Sequence, residues 1–125
     1  MKTLMTLTLV AALIGGCATA DLASTGPAKV QNGVLTGPNA MTLYTFDRDV
    51  AGSGKSVCNG ACATNWPPLT ATAAPGGEGY SLVTRDDGTK QVAYKGKPLY
   101  YWSKDMKPGD KTGNGVNNVW HTAAP

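Results

Sequence analysis

The sequence holds one histidine, His121, and that scarcity removes whole classes of chemistry. No metal site built on several imidazoles forms within one such chain, and Ser53, Ser56, Ser81 and Ser103 have no evident base beside them. There is no C-x-x-C-H haem attachment site, no P-loop and no GxGxxG. Charge is equally sparse: Asp, Glu, Lys and Arg make up 15% of the chain, and 11 basic against 8 acidic residues leave a net +3. That excess is too small and too scattered for a nucleic-acid surface. Sixteen glycines and eight prolines in 125 residues leave no room for a coiled coil or helical bundle, and the length suits one domain rather than a large enzyme.

The first 16 residues read as a lipoprotein signal peptide. Lys2 supplies a positive start, and the apolar run from Leu4 to Ile14 ends in Gly15 and Gly16 directly before Cys17. As a helix that run covers roughly 17 Å, about half a hydrocarbon core, so it does not span a membrane. Leu13-Ile14-Gly15-Gly16-Cys17 resembles a bacterial lipobox, which implies a lipid-modified Cys17 and attachment to a membrane through its acyl chains. The alternative is an ordinary secretory signal cut after Ala18 or Ala20. With Ala18 rather than Asp after the cysteine, the resemblance points to an outer-membrane lipoprotein facing the periplasm. Residues 17–32 hold no aromatic residue and no hydrophobic periodicity and read as a lipid-anchored flexible tether, with a single β domain over 33–125.

With Cys17 acylated, Cys58 and Cys62 remain as a pair in an exported chain, and a disulfide is expected. The competing reading is a redox-active or metal-binding C-x3-C, which the absence of a βαβ pattern disfavours. Internal repetition is the richest signal. Met41–Asp49 and Lys97–Asp105 align at an offset of 56, both reading LYxΦxxD with Φ aromatic: Tyr44, Phe46 and Asp49 in one copy, Tyr100, Trp102 and Asp105 in the other. Each copy is followed by a tryptophan, Trp66 or Trp120, so the two repeats run over about 33–69 and 90–122. Between them, Asp86-Asp87-Gly88 separates two β-prone runs and marks a hairpin.

These signals predict an all-β fold of six or seven short strands: a small antiparallel sheet or sandwich built from two pseudo-repeated hairpin units and stapled by one short-loop disulfide. Alternation places Tyr44 and Phe46 on one side of their strand, and Tyr100 and Trp102 likewise, so these aromatics are expected in a core between two halves related by a pseudo-twofold axis, with Trp66 and Trp120 closing the ends. The simpler reading makes all of these aromatics scaffold; the alternative has the matched tyrosine hydroxyls reach the matched aspartates or line a shared cleft.

The two motif copies, together with GKSVCNGACATNWPPL and the closing VWH, resemble the predicted bacterial lipoproteins carrying the Yx(F/W/Y)xxD motif, the secreted-repeat family, over about residues 33–122. The resemblance implies export and repeat architecture; it brings no established activity and hence no catalytic residues.

Two metal sets deserve weighing. Asp47, Asp49, Asp105 and Asp110, with Asn114, Asn117 and Asn118, offer hard oxygen donors for calcium, but no EF-hand pattern is present and Lys107 and Lys111 oppose a cation. Met41, Met106, His121 and the two thiols would be a copper(I) set if gathered, and turn-flanking roles for the methionines are the simpler reading. The sequence therefore predicts no cofactor, no metal and no enzymatic activity. It predicts a membrane-anchored periplasmic accessory or binding module, in which the repeat aromatics and aspartates, edged by Arg48, Arg85 and Lys104, meet an envelope protein or glycan. A redox or metal-handling accessory built on Cys58 and Cys62 is the alternative.

Overall fold

The computed structural model describes residues 28–73 and 75–125; the export signal and Cys17 lie outside the described residues. Turn chemistry sets the local structure. Asn32 and Gly33 both take positive φ, 53° and 83°, as a two-residue hairpin turn requires, and join β1 (Lys29–Gln31) to β2 (Val34–Thr36) in antiparallel register. This strand lies inside the stretch read as a tether: the Asn-Gly turn signal outweighs the polar composition around it, and ordered structure begins before residue 33. The second hairpin, β4 (Tyr80–Thr84) against β5 (Lys90–Tyr94), turns at the anticipated Asp-Asp-Gly, and β6 (Lys97–Pro98) adds a short third strand. β3 (Tyr44–Phe46) pairs with β7 (Trp120–Thr122), and a five-residue helix α1 (Ala61–Asn65) and one 3-10 turn (Val116–Asn118) complete the elements.

The all-β, two-repeat architecture thus stands, but the repeats interlock. β3 of the first repeat pairs with β7, the last strand of the second, while at the end of the first repeat Pro68 lies opposite Tyr100 of the second, flanked by bonds from the Leu69 amide to the Leu99 carbonyl and from the Tyr101 amide to the Pro67 carbonyl. Each repeat therefore lends its final strand to the other. The centre is a reciprocal backbone pair: the Tyr44 amide donates to the Tyr100 carbonyl at 2.8 Å and the Tyr100 amide to the Tyr44 carbonyl at 3.0 Å. Around it the repeats obey a pseudo-twofold relation.

In each half three strands close on one another through a ring of three backbone hydrogen bonds. The Leu35 amide donates to Ala123, the Ala123 amide to Leu43 and the Leu43 amide to Leu35, all at 2.8–2.9 Å. In the other half Val92 donates to Leu69, Leu69 to Leu99 and Leu99 to Val92, at 2.8–3.0 Å. All six residues are buried and belong to one aliphatic cluster with Ala28. The closure satisfies backbone groups that a short open sheet would leave at its edges.

Because strand residues alternate, the Leu-Tyr dipeptide of each motif divides between two cores. Leu43 and Leu99 enter the aliphatic cluster, and Tyr44 and Tyr100 enter a second, aromatic cluster with Trp66, Trp120 and Cys58. That second core holds the candidate site.

Candidate functional site

Tyr44 and Tyr100 are fully buried, and each hydroxyl reaches a carboxylate of the opposite repeat. Tyr44 Oη donates to Asp105 Oδ2 at 2.6 Å and Tyr100 Oη donates to Asp49 Oδ2 at 2.5 Å. The second carboxylate oxygen is also held in both cases: Asp49 Oδ1 accepts the Val57 amide at 2.8 Å, and Asp105 Oδ1 accepts the amide of Thr112 at 2.9 Å and its hydroxyl at 2.6 Å. The spacing Y-x4-D has a physical reason here. It brings a strand tyrosine and a turn aspartate of the same copy to opposite sides of the pseudo-axis, so that two copies complete one another.

Burial, and next the adjacent aspartate, push both phenols well above the ordinary tyrosine range. Burial likewise pushes the Asp49 carboxyl up, against the opposing pull of the Tyr100 hydroxyl, the Val57 amide and the charge of Arg85.

Arg85 is the residue the sequence reading misplaced. Expected at a binding edge, it is 5% exposed, and its guanidinium donates to Ser56 Oγ at 2.9 Å, Gln91 Oε1 at 2.7 Å and the Cys58 carbonyl at 2.5 Å. Ser56 Oγ lies 2.6 Å from Tyr100 Oη. Since the tyrosine proton is committed to Asp49, Ser56 is the donor in that contact, and the chain runs Arg85 to Ser56 to Tyr100 to Asp49 with every proton aimed the same way. Gln91, fully buried, ties the network to the strands by donating to the Leu99 carbonyl at 2.7 Å. Ser56 and Gln91 were not singled out from sequence. Strand alternation carried the signal for Arg85, because it follows buried Val83 by two positions.

Four aromatic rings stack beside these pairs. Phe46 lies on Trp120 at 4.1 Å between centroids, Trp120 on Trp66 at 3.7 Å, and Trp66 on Trp102 at 3.9 Å. The order is symmetric, with Phe46 and Trp102 half-buried at the ends and Trp66 and Trp120 at 5% and 3% exposure in the middle. Both tryptophans were expected to close the ends of the molecule. They take its centre instead, because the exchanged strands carry them to the pseudo-axis. Tyr44 meets Trp66 edge-on at 5.3 Å, and Tyr100 meets Trp120 at 5.1 Å. Gly113 permits the assembly: a Cβ there would lie 2.8 Å from the Trp66 ring and 2.9 Å from that of Trp102.

Where the stack reaches the surface, an open groove of about 640 Å³ runs along Phe46, Trp66 and Trp120, bordered by Arg48, Asn65 and Asn117. No carboxylate lines it. Among the described residues no protein group accepts a hydrogen bond from the indole N–H of either buried tryptophan. Cys62 lines the same groove, and its disulfide to the fully buried Cys58 is formed, with Cα atoms 5.2 Å apart.

The groups considered as metal donors are dispersed or engaged. Asp110 Oδ2 accepts the amides of Met106 and Lys107 at 2.8 and 3.2 Å, and Asn114 Oδ1 accepts that of Thr122. His121 pairs with Asp47 at 2.8 Å on the exposed surface, and Met106 is 82% exposed. Among the described residues no three His, Cys, Asp or Glu side chains gather to hold a metal.

Residues 27–70 and 81–124 each match the family described as a secreted repeat of unknown function. The chain belongs to that secreted-repeat family. The two matches coincide with the interlocking halves, so the repeat is a unit of sequence whose fold is completed only by its neighbour. No curated protein and no solved structure matches the chain. The secreted family description fits an envelope or extracellular location, and no helix among the described residues is long and apolar enough to cross a membrane.

Proposed function

We propose that this secreted-repeat protein is a non-enzymatic binding module of the cell envelope, held at the outer membrane by acyl chains on Cys17 and facing the periplasm, whose contact surface is the groove along the aromatic stack. The groove itself carries the reading. It offers the edges of Trp66 and Trp120, whose faces are covered on both sides within the stack, together with the Phe46 ring, the Arg48 cation and the amides of Asn65 and Asn117. Ring edges are the positive rim of the aromatic quadrupole, and arginine and the amides are donors, so the surface favours an acceptor-rich partner. Sugars stack on ring faces, and the inner faces here are already covered by one another. An acidic segment of an envelope protein is therefore the better fit.

A photo-crosslinking residue placed at Asn117 in intact cells tests this, with the same residue at Glu78, outside the groove, as reference. A discrete protein adduct from Asn117 that disappears with Arg48→Glu is expected. Identical adducts from both positions, or none from Asn117, would sink the reading. The anchor has its own check, since acyl labelling of the chain is expected to vanish in Cys17→Ala.

A further inference from the structure

The stacked rings and the two buried tyrosine–aspartate pairs form one continuous object, of which the groove uses only an edge. Rings in van der Waals contact are strongly coupled electronically, so a missing electron on one is readily filled from the next. The series Trp102, Trp66, Tyr44 is connected at 3.9 Å and 5.3 Å between centroids. A phenol becomes a good electron donor to an oxidised indole only when its proton has somewhere to go, because the phenol radical cation is a very strong acid. Tyr44 has that acceptor in place, at 2.6 Å on Asp105 Oδ2.

We propose that the chain is a stoichiometric sink for one-electron oxidants, in which an electron taken from half-exposed Trp102 is replaced through Trp66 from Tyr44, whose proton passes to Asp105. The balance is closed. A one-electron oxidant stronger than the indole couple, of the carbonate-radical or metal(III)-polypyridyl class, is reduced by one electron and leaves the Trp102 radical cation. Trp66 reduces Trp102, and Tyr44 reduces Trp66 as its O–H bond breaks and an O–H bond forms on Asp105 Oδ2. Both indoles return to their starting state; the products are a neutral tyrosyl radical and a neutral carboxyl group.

Two features give the transfer a direction. The Lys104 ammonium sits 5.7 Å from the Trp102 ring centroid and disfavours positive charge there, pushing it inward. Of the two tyrosines, Tyr44 is the better terminus. Protonating Asp49 would remove the negative charge that offsets Arg85, the one buried cation among the described residues, whereas Asp105 is bonded by Thr112 and Tyr44 and offsets no buried cation. Complete burial of Tyr44 keeps its radical away from solvent and from other chains. This role stands independently of binding at the groove.

Flash oxidation of the purified full chain by photogenerated tris(bipyridine)ruthenium(III), followed by transient absorption and electron paramagnetic resonance, tests it. In the wild type the broad tryptophanyl band is expected to give way to the narrow tyrosyl band. Tyr44→Phe is expected to lose most of the tyrosyl signal and prolong the tryptophanyl one, and Tyr100→Phe to keep it. A triple Tyr80→Phe, Tyr94→Phe, Tyr101→Phe chain, which retains both buried phenols, is expected to behave as wild type. Trp102→Phe keeps a ring in the stack but no oxidisable indole, so it is expected to slow tyrosyl formation with Tyr44 untouched. This variant keeps the test decisive should Tyr44→Phe fold poorly. A tyrosyl signal unchanged by Tyr44→Phe or by Trp102→Phe, or one abolished in the triple variant, overturns the proposal.

Discussion

Raising the pH should dismantle this protein in a way that its two buried phenols dictate. Tyr44 and Tyr100 are fully buried, and each already donates its proton to a carboxylate, so ionising either would set a second negative charge beside the first. Both are held well above the ordinary range by burial and by Asp105 or Asp49. In the unfolded chain a phenol titrates near pH ~10. Below that value both states keep the protons and the stabilisation is complete; above it the unfolded chain releases protons that the native state retains, so stability falls as pH climbs towards the raised native values. Each tyrosine contributes a slope of about 1.4 kcal/mol per pH unit, about 2.7 for the pair. By pH ~11.5 the loss reaches about 4 kcal/mol, a large part of a typical small-domain stability. Urea unfolding at a series of pH values, with tyrosinate absorbance recorded alongside, measures it, and the Tyr44→Phe, Tyr100→Phe double variant subtracts lysine and the remaining tyrosines. The double variant should show the shallower slope. Equal slopes, or tyrosinate from these two residues forming near pH ~10 while the near-ultraviolet dichroism of the native stack persists, would refute the reasoning.

Three further perturbations separate the scaffold's parts. Gly113→Ala forces a methyl group into the Trp66 and Trp102 rings and should cost about 1–3 kcal/mol by thermal unfolding, with a changed near-ultraviolet spectrum. Arg85→Met strips Ser56, Gln91 and the Cys58 carbonyl of their donor and leaves Asp49 without its offsetting charge; about 3–5 kcal/mol is expected, where a surface arginine would cost under about 0.5. Reducing Cys58–Cys62 opens so short a loop that only about 2 kcal/mol should be lost, and the reduced chain should keep its native dichroism.

Much of this arrangement was visible in the sequence, and the failures have a common cause. Asp-Asp-Gly at 86–88 determines its hairpin locally, the close spacing of Cys58 and Cys62 suits a local bridge, and alternation sends Leu43 and Tyr44 to opposite faces. The matched tyrosines do lie against the matched aspartates. Alternation, however, tells a strand which face is buried and says nothing of which strand lies beside it, so the exchange of β7 and the Pro68–Leu69 segment between repeats was invisible. Trp66 and Trp120 moved from the ends to the centre for that reason alone. The charge of Arg85 suits an outward place, whereas its register with Val83 points inward, and periodicity is the stronger guide. At Asn32-Gly33 a polar neighbourhood masked a specific turn.

The exchange of final strands also governs when the protein can exist. Tyr44 and Leu43 wait for Thr122 and Ala123, and no earlier segment closes their ring of backbone bonds. A chain emerged only through Val119 holds the partners of the Val92–Leu69–Leu99 ring but leaves the ring of Leu35 and Leu43 open and the stack without Trp120, and contacts so remote in sequence form slowly. A chain stalled before Trp120 should accordingly be digested by protease, and the complete one should resist. For a secreted molecule this delay is an asset: the polypeptide remains threadable during translocation and commits to its interlocked clasp only when its last strand arrives on the far side.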